Sequence, residues 1–207
     1  MQMTGHSTTG HYHHGDLRNA LLQAAGKLLR EQGIDGFSLR DVARAAGVSH
    51  AAPYRHFRDK AALLRALSGL GFERLHAALA EAAASRRGPE QILIEVTRVY
   101  VHTVVQNPGM TRLMFGTVIS AEGDDGNAWA ASSILEVFLG IIKAGFAVGA
   151  FRERDPRELA LMAWSTMHGL AMLAVGGVLD VKDKDMQELD ALACTVAENV
   201  IYGISRS

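Results

Sequence analysis

The stretch from Ser38 to Phe57 reads SLRDVARAAGVSHAAPYRHF, and it decides how the fold is interpreted. Ser38 followed three residues later by Asp41 is a capping-box pattern, with Asp in place of Glu, ahead of an apolar face about two helical turns long. Gly47 permits the left-handed backbone of a tight turn, and Ser49 is a favoured cap for a second helix. The pattern predicts a helix–turn–helix over about residues 38–57.

The second helix of this unit carries an unusual set of side chains. Small side chains near a helix start, followed by polar and aromatic ones, are typical of major-groove recognition. Pro53 has no backbone N–H, so we expect the first turn to start late or to be distorted, and its ring is a candidate contact for a thymine methyl. The small residues are Ala51 and Ala52, and those expected to be exposed are His50, Tyr54, Arg55 and His56.

A longer helix is predicted on each side of this unit. Asp16 is an N-cap type of residue ahead of an apolar stripe that ends at Gly33, and Asp59 has the same position ahead of a helix that runs to about Ala84. Lys60 in the first turn is unfavourable by itself, because a helix N-terminus carries partial positive charge. A phosphate there would be bound by backbone amides and by the lysine, and the alternative is an ordinary solvated lysine.

The remaining chain has helical periodicity and no β-alternation of useful length. Together with the N-terminal helices, these segments predict an all-α fold, with a three-helix helix–turn–helix domain followed by a C-terminal helical bundle. The predicted helices cover residues 90–106, 110–120, 128–148, a segment from Asp155 to Gly176, and residues 183–204, with a polar loop at residues 122–127.

Charge is distributed unevenly along the 207 residues. Residues 1–70 contain nine Lys or Arg and five Asp or Glu, whereas the rest of the chain contains twelve and seventeen. A basic N-terminal third on an acidic body is expected if only that third meets a polyanion, although chance also produces a difference of this size. With 48% hydrophobic and 21% charged residues, the composition excludes a disordered chain.

The stretch from Leu159 to Leu179 requires a membrane test, because its 21 residues contain no Asp, Glu, Lys or Arg. It contains Ser, Thr, His and Gly, so we favour a helix buried on two sides, against its own core and against a partner. Residues 1–14 lack an apolar signal segment and are predicted to be a disordered leader. With a single cysteine in the chain, these features favour a cytoplasmic protein without a membrane partner.

No residue pattern predicts catalysis, a cofactor or a metal site. His102 and His168 stand alone on apolar helices and fit hydrogen-bonded core residues better than metal ligands, and His168 also fits a ligand cavity. Cys194 fits a small buried hydrophobe better than a redox sensor, since no nearby positive charge would activate the thiol. The leader histidines are weak candidates for metal chelation, and a flexible tail is the simpler interpretation: His6, His11, His13 and His14.

Several separated blocks of the N-terminal third occur together: Gly33, residues 37–43, 46–49 and 54–57, Asp59-Lys60 and Leu63-Leu64. In this order and spacing they resemble the N-terminal domain of the TetR family of bacterial transcriptional repressors. A shorter match, WSTMHG at residues 164–169, resembles the Trp–His–Gly signature of one C-terminal domain class in that family. The resemblance implies a DNA-binding domain at residues 15–75 and a C-terminal ligand-binding and dimerisation domain at residues 76–207.

The resemblance also implies roles for individual residues. Phosphate contacts would come from Ser38, Arg40, Ser49, Tyr54, His56 and Lys60, and base contacts from His50, Ala51, Ala52 and Arg55. A homodimer, with its last two long helices at the interface, would present two such surfaces to a near-palindromic double-stranded DNA operator. A small-molecule effector that favours the DNA-incompetent arrangement would release the repressor.

The effector is expected to bind in the C-terminal domain. Aromatic and sulfur-containing side chains between residues 100 and 172 are predicted to line a pocket for an apolar or aromatic molecule, although a plain core explains them as well. The candidate lining residues are Tyr100, Met114, Phe115, Trp129, Trp164, Met167 and His168. The alternative function is a helical small-molecule-binding protein without specific DNA recognition, which would not need the set Tyr54, Arg55 and Lys60 together.

Overall fold

The computed structural model describes the backbone of residues 14–116, 125–179 and 186–205, and the side chains of residues 17–116, 132–179 and 186–205. Within these residues the regular structure is helical, apart from one isolated bridge between Phe151 and Ser205. The chain divides into two compact units, residues 1–63 and residues 64–207. The predicted leader up to residue 13 and the predicted polar loop up to residue 124 lie outside the described residues. His14 already belongs to α1 and residues 125–127 to α6, so the leader and the loop were predicted one and three residues too long.

The first unit contains α1 (His14–Gln32), α2 (Leu39–Ala45), a short 3-10 helix (Pro53–Arg55) and the first turn of α3 (Lys60–Ala83). α1 begins two residues before the predicted cap, Asp16, and ends where Gly33 takes a φ of 74°. That value lies in the left-handed region that glycine adopts without strain. The core of the unit is made of apolar side chains from α1, α2 and the loops: Leu21, Leu22, Leu29, Phe37, Leu39, Val42 and Phe57.

The second unit is a bundle built around α4. It contains the rest of α3, α4 (Pro89–Gln106), α5 (Pro108–Phe115), α6 (Asp125–Ala147), α7 (Pro156–Val175) and α8 (Met186–Ile204). α4 packs against α6, α7 and α8, and its residues Leu93, Val96 and Tyr100 are fully buried. The predicted fifth helix is shorter than expected, because Gly116 has extended backbone and ends it. The predicted first residues of α8, 183–185, lie outside the described range.

α7 has the start that the sequence predicts. The side chain of Asp155 accepts a hydrogen bond from the backbone N–H of Arg157 at 2.8 Å, Pro156 occupies the first turn, and the helix ends at Gly176. Within the described chain it is the one helix long and apolar enough to cross a membrane. One face of α7 is instead buried in the bundle, including Ala163 and Met167. The opposite face leaves large apolar side chains exposed: Leu161, Met162 and Leu173.

The connection between α6 and α7 is packed tightly against the end of α8. The Phe151 ring is fully buried and lies so close to Gly145 that a Cβ atom at position 145 would overlap it. The next residue, Arg152, donates its backbone N–H to the carbonyl of Ile204 at 2.7 Å. Gly145 is therefore required by a close approach of an aromatic ring, and not by a turn.

Candidate nucleic-acid interface and effector site

The start of α2 has the predicted capping box. The Ser38 hydroxyl accepts from the backbone N–H of Asp41 at 3.3 Å, and the Asp41 carboxylate accepts from the backbone N–H of Ser38 at 2.9 Å. The hydroxyl and the backbone N–H of Ser38, together with the charge of Arg44, hold the pKa of Asp41 below its ordinary value. Ser38 is exposed, and its hydroxyl proton is donated to Asp41 at 2.6 Å.

The end of α2 is a Schellman motif. Gly47 has a φ of 69°, its N–H donates to the carbonyl of Arg44, and the N–H of Val48 donates to the carbonyl of Ala43. These bonds satisfy carbonyls that the helix end would leave without partners. The motif fixes the direction in which the chain leaves α2, and so it positions residues 49–57.

The second element of the predicted helix–turn–helix is not a regular α-helix, which corrects the expectation of a helix capped by Ser49. The N–H of Ala52 donates to the carbonyl of Ser49 at 2.9 Å, and the N–H of His56 donates to that of Pro53 at 3.0 Å. Because Pro53 has no N–H to donate to the carbonyl of Ser49, the segment closes as a turn and a single 3-10 helix at residues 53–55.

Two candidates for base contacts are on the wrong side of this segment. Ala52 and Pro53 are both buried, so their side chains do not face a DNA groove in this structure. This corrects the expectation that Ala52 approaches a base edge, and that Pro53 meets a thymine methyl. The physical reason is the 3-10 turn, which places Pro53 among the buried residues of the unit while Tyr54 and Arg55 remain outside.

The remaining predicted DNA contacts lie on the surface. Tyr54 is 54% exposed, and His56 is half-buried. The other exposed candidates are Ser38, Arg40, Ser49, His50, Ala51 and Arg55. Among the residues that the structure describes, neither the Tyr54 nor the Arg55 side chain has a recorded hydrogen bond or ion pair. The segment therefore presents a phenol and a guanidinium whose polar atoms are available to another molecule.

Aromatic rings hold two basic side chains of the first unit. The Lys60 Nζ lies 4.7 Å from the centre of the Phe37 ring, and the Arg18 guanidinium lies 5.5 Å from that of Phe57. The Phe37 contact explains how a lysine is accommodated in the first turn of α3, where Asp59 caps the helix by accepting from the N–H of Ala62 at 2.7 Å. Sequence reasoning missed Arg18, because the contact depends on the folding of Phe57 back onto α1.

Four of the seven predicted effector residues meet in the second unit. The Tyr100 hydroxyl lies 2.8 Å from His168 Nδ1, and the Trp164 indole N–H donates to the same hydroxyl at 3.2 Å. The Phe115 ring centre lies 4.5 Å from that of His168. We refer to these four residues, Tyr100, Phe115, Trp164 and His168, as the aromatic cluster. Burial raises the pKa of Tyr100 and lowers that of His168, so both side chains are held neutral.

Two of the other three predicted effector residues, Met114 and Met167, are not part of this cluster's recorded hydrogen bonds. Met167 is fully buried and its sulfur lies 3.2 Å from the Thr97 hydroxyl, whose proton has a closer acceptor in the Leu93 carbonyl at 2.7 Å. Met114 is buried near Gly71, where a Cβ atom would come within 2.7 Å of its sulfur. The side chain of Trp129 lies outside the described residues. Their roles in effector binding stay predictions.

His102 pairs with a carboxylate that the sequence did not point to. Its Nε2 is hydrogen-bonded to Asp190 on α8, which also accepts from Arg98 at 3.2 Å. Burial acts to raise the pKa of Asp190, but the hydrogen bonds with Arg98 and His102 hold it below its ordinary value. The hydrogen-bonded interpretation of His102 was correct, but the residue is half-buried and ties α4 to α8. In the described part of the chain, no group of three His, Cys, Asp or Glu side chains is placed to hold a metal ion.

A cleft of about 480 Å³ lies between the outer faces of α7 and α8. Its walls include Leu159, Met162 and Thr166 from α7 and Val196 and Val200 from α8. None of the six predicted effector residues whose side chains are described lines it. From the sequence, this face was recognised only as one side of an uncharged helix. The cleft itself could not be predicted, because it depends on where α8 packs.

Comparisons with known proteins give the same family for the N-terminal and the C-terminal part of the chain. Residues 21–67 match the family described as bacterial regulatory proteins, tetR family, and residues 93–196 match a tetracyclin repressor-like C-terminal domain. A solved protein with unknown function from Rhodococcus sp. RHA1 is 34% identical, with a TM-score of 0.82 over 95% of this chain and 99% of that one. A tetR-family regulatory protein from Rhodococcus RHA1, 21% identical with a TM-score of 0.70 over 92% and 98% of the two chains, shares the fold.

Curated relatives match over shorter stretches. The class A tetracycline repressor from transposon 1721 of Escherichia coli is 48% identical over 50 residues, which are 24% of this chain and 23% of that protein. An HTH-type transcriptional repressor of Mycobacterium tuberculosis is 33% identical over 56% of this chain and 58% of its own length. The chain spans about half or less of the length of the curated relatives it matches.

Proposed function

Since this chain belongs to the TetR family of bacterial regulatory proteins, we propose that it is a ligand-responsive transcriptional regulator that represses by binding a near-palindromic operator. The observation that carries the proposal is the surface formed by Tyr54, Arg55 and Lys60. Tyr54 and Arg55 are exposed directly after a Schellman turn, and Lys60 is held at the N-terminus of α3. A helix–turn–helix with a purely structural role would not need all three side chains.

Each predicted DNA contact that lies at the surface of the first unit has a proposed role. Arg40, Ser49, Tyr54 and Lys60 bind phosphates, with Ser38 and His56 beside them, and these contacts position the protein without reading sequence. His50, Ala51 and Arg55 face the base edges, where an arginine recognises guanine with two hydrogen bonds. Ala52 is left out of this set because it is buried.

The proposed partner in solution is a second copy of the chain. The outer faces of α7 and α8 leave apolar side chains exposed, including Leu161, Leu173 and Leu192, and the cleft between the helices is lined mainly by apolar groups. Covering these faces in a homodimer removes apolar surface from water. Two-fold symmetry then matches two half-sites about 34–36 Å apart on the operator.

The proposed effector is a small apolar or aromatic molecule that binds in the second unit. The aromatic cluster supports this, because its rings come from α4, α5 and α7 and three of its four members are only partly buried. The pairing of Trp164 and His168 through Tyr100 also supports placing the C-terminal domain in the Trp–His–Gly class. We further propose that the protein is not an enzyme, needs no cofactor and acts in the cytoplasm.

The test is a titration of labelled DNA from immediately upstream of its own gene, followed by fluorescence anisotropy at two salt concentrations. We expect saturable binding that weakens with salt, survives excess unrelated DNA and is lost in the Tyr54→Ala/Lys60→Ala double variant. Lys143→Ala, which removes an exposed charge in the second unit, should bind as the wild type does. Complete absence of binding at low salt would instead support a helical small-molecule-binding protein without specific DNA recognition.

A further inference from the structure

The three polar groups of the aromatic cluster form a directed chain of hydrogen bonds. The Trp164 indole N–H can only donate, so the Tyr100 oxygen accepts at 3.2 Å. Tyr100 is fully buried, and its own proton then needs an acceptor. Among the residues that the structure describes, His168 Nδ1 at 2.8 Å is the one acceptor recorded for it.

This direction determines where the imidazole proton lies. If Nδ1 carried the proton, Nδ1 would donate to the Tyr100 oxygen and the buried phenol proton would be left without a partner, which costs free energy. Nδ1 is therefore the acceptor, and a neutral His168 carries its proton on Nε2. The structure records no partner for Nε2 among the described residues, and His168 is only partly buried, which leaves a single hydrogen-bond donor open at the cluster.

We propose that His168 Nε2–H is the polar contact of the effector site, and that it selects a neutral, planar apolar molecule that carries a hydrogen-bond acceptor such as a carbonyl oxygen. The inference rests on the proposed function, since it assumes that the effector binds at this cluster. The rings of Phe115 and Trp164, with centres 4.5 and 6.5 Å from that of His168, provide the apolar surroundings of the donor. Tyr100 acts as a positioning residue, because it fixes the proton on Nε2 without touching the ligand.

The surroundings also reject other classes of molecule. A ligand that offers only N–H groups would place two donors against each other at Nε2. A cation would gain no carboxylate partner among the described residues, because no Asp or Glu side chain is among the contacts recorded for the cluster. Burial lowers the pKa of His168, which keeps the ring neutral, so that it has a single N–H donor.

The tautomer is tested directly by long-range ¹H–¹⁵N NMR of the full-length ¹⁵N-labelled protein, in which the His168 signals are identified by their absence in His168→Gln. We expect an unprotonated Nδ1 and a protonated Nε2 in the wild type. Tyr100→Phe should keep the ring packing but release this preference, giving a mixture of the two tautomers. A protonated Nδ1 in the wild type, or a Tyr100→Phe spectrum identical to that of the wild type, overturns the proposal.

Ligand selection is tested with two planar probes of nearly the same shape, 2-acetylnaphthalene and 2-isopropenylnaphthalene, by isothermal titration calorimetry of the wild type and the variants. We expect the ketone to bind about tenfold more tightly, in line with one neutral hydrogen bond. His168→Gln, whose amide can donate from a similar position, should keep part of this ratio, and His168→Phe should abolish it. Equal affinity of both probes for the wild type overturns the proposal.

A DNA titration of the same preparation separates this inference from the proposed function. If the wild-type protein binds its upstream DNA but has a protonated Nδ1, the repressor assignment stands and the inference about His168 is wrong. If the protein has the expected tautomer and the expected ratio of probe affinities but does not bind DNA, the repressor assignment is wrong and the acceptor-selective site stands.

Discussion

Two tyrosines, one in each unit, show how differently the two halves of the molecule use the same side chain. The Tyr54 side chain is 54% exposed and has no recorded partner within the described chain. Tyr100 is fully buried and hydrogen-bonded to Trp164 and His168, which lie 64 and 68 positions further along the sequence. A surface that reads another molecule keeps its polar groups available, so that the partner supplies the bonds. The aromatic cluster satisfies the polar groups of Tyr100 and Trp164 internally and, by our inference, leaves one donor open, on His168.

Replacing the two tyrosines should give the largest contrast. Tyr100→Ala is expected to reduce the free energy of unfolding by about 3–5 kcal/mol, because it creates a cavity and leaves two polar groups without a partner. Tyr54→Ala should change it by no more than about 0.5 kcal/mol while weakening DNA binding. Guanidinium unfolding followed by circular dichroism measures both. A large loss of stability in Tyr54→Ala would contradict the contrast.

Replacing Arg55 tests the proposed base contact of the DNA-binding surface. Arg55→Ala should lose discrimination at one base pair of each half-site by roughly 1–3 kcal/mol, because a two-bond contact to guanine is removed. Arg40→Ala is the matched control, and it should weaken binding to all sequences equally, as expected for a phosphate contact. Anisotropy titrations with operators substituted one base pair at a time separate the two. Unchanged discrimination in Arg55→Ala would assign base reading to another residue.

Lys60 provides a smaller and purely electrostatic effect. Lys60→Ala should reduce the slope of log affinity against log salt concentration by about 1, because one phosphate contact is lost. Titration at a series of salt concentrations gives the slope. Phe37→Leu, which removes the ring beneath Lys60 but keeps its charge, should leave the slope close to that of the wild type. A wild-type slope in Lys60→Ala would show that this lysine is only solvated.

The smallest expected effect concerns the capping box and pH. Because the pKa of Asp41 is lower in the folded chain than in the unfolded chain, its contribution to stability is present above the unfolded value and is lost as the pH falls through the folded value. Ser38→Ala removes the main cause of this shift. Thermal unfolding between about pH 6 and pH 2 should therefore depend less on pH in Ser38→Ala than in the wild type.

Ser49→Ala is the matched control for this measurement, since Ser49 is exposed and the structure records no bond to its hydroxyl. It should show the pH dependence of the wild type. Equal behaviour of Ser38→Ala and Ser49→Ala would mean that the capping box does not shift Asp41.

Features that depend on neighbouring residues could be predicted from the sequence. The capping box at Ser38, the left-handed turn at Gly47 and the cap of α7 at Asp155 each follow from residue types a few positions apart. The distortion expected at Pro53 was right, but its extent was not, since one missing N–H replaced the whole helix by a 3-10 turn. Local rules give the existence of such a break and not its length.

Contacts between distant residues were out of reach. The aromatic content of residues 100–172 gave Tyr100, Phe115, Trp164 and His168 as candidates, but their contacts depend on how α4, α5 and α7 pack. The Asp190 partner of His102 and the α7–α8 cleft depend on the position of α8 in the same way. No spacing along one helix reports the side chain that another helix places opposite it.

The close approach of Gly145 and Phe151 has a consequence for how this chain can diverge. The ring occupies the space that any side chain at position 145 would need, so the two positions cannot change independently. Among related sequences, we expect glycine at the position of residue 145 wherever the position of residue 151 is aromatic, and a larger residue there only together with a smaller one at 151. Homologues should therefore carry a record of this contact as a pair of linked substitutions, readable from an alignment without any structure.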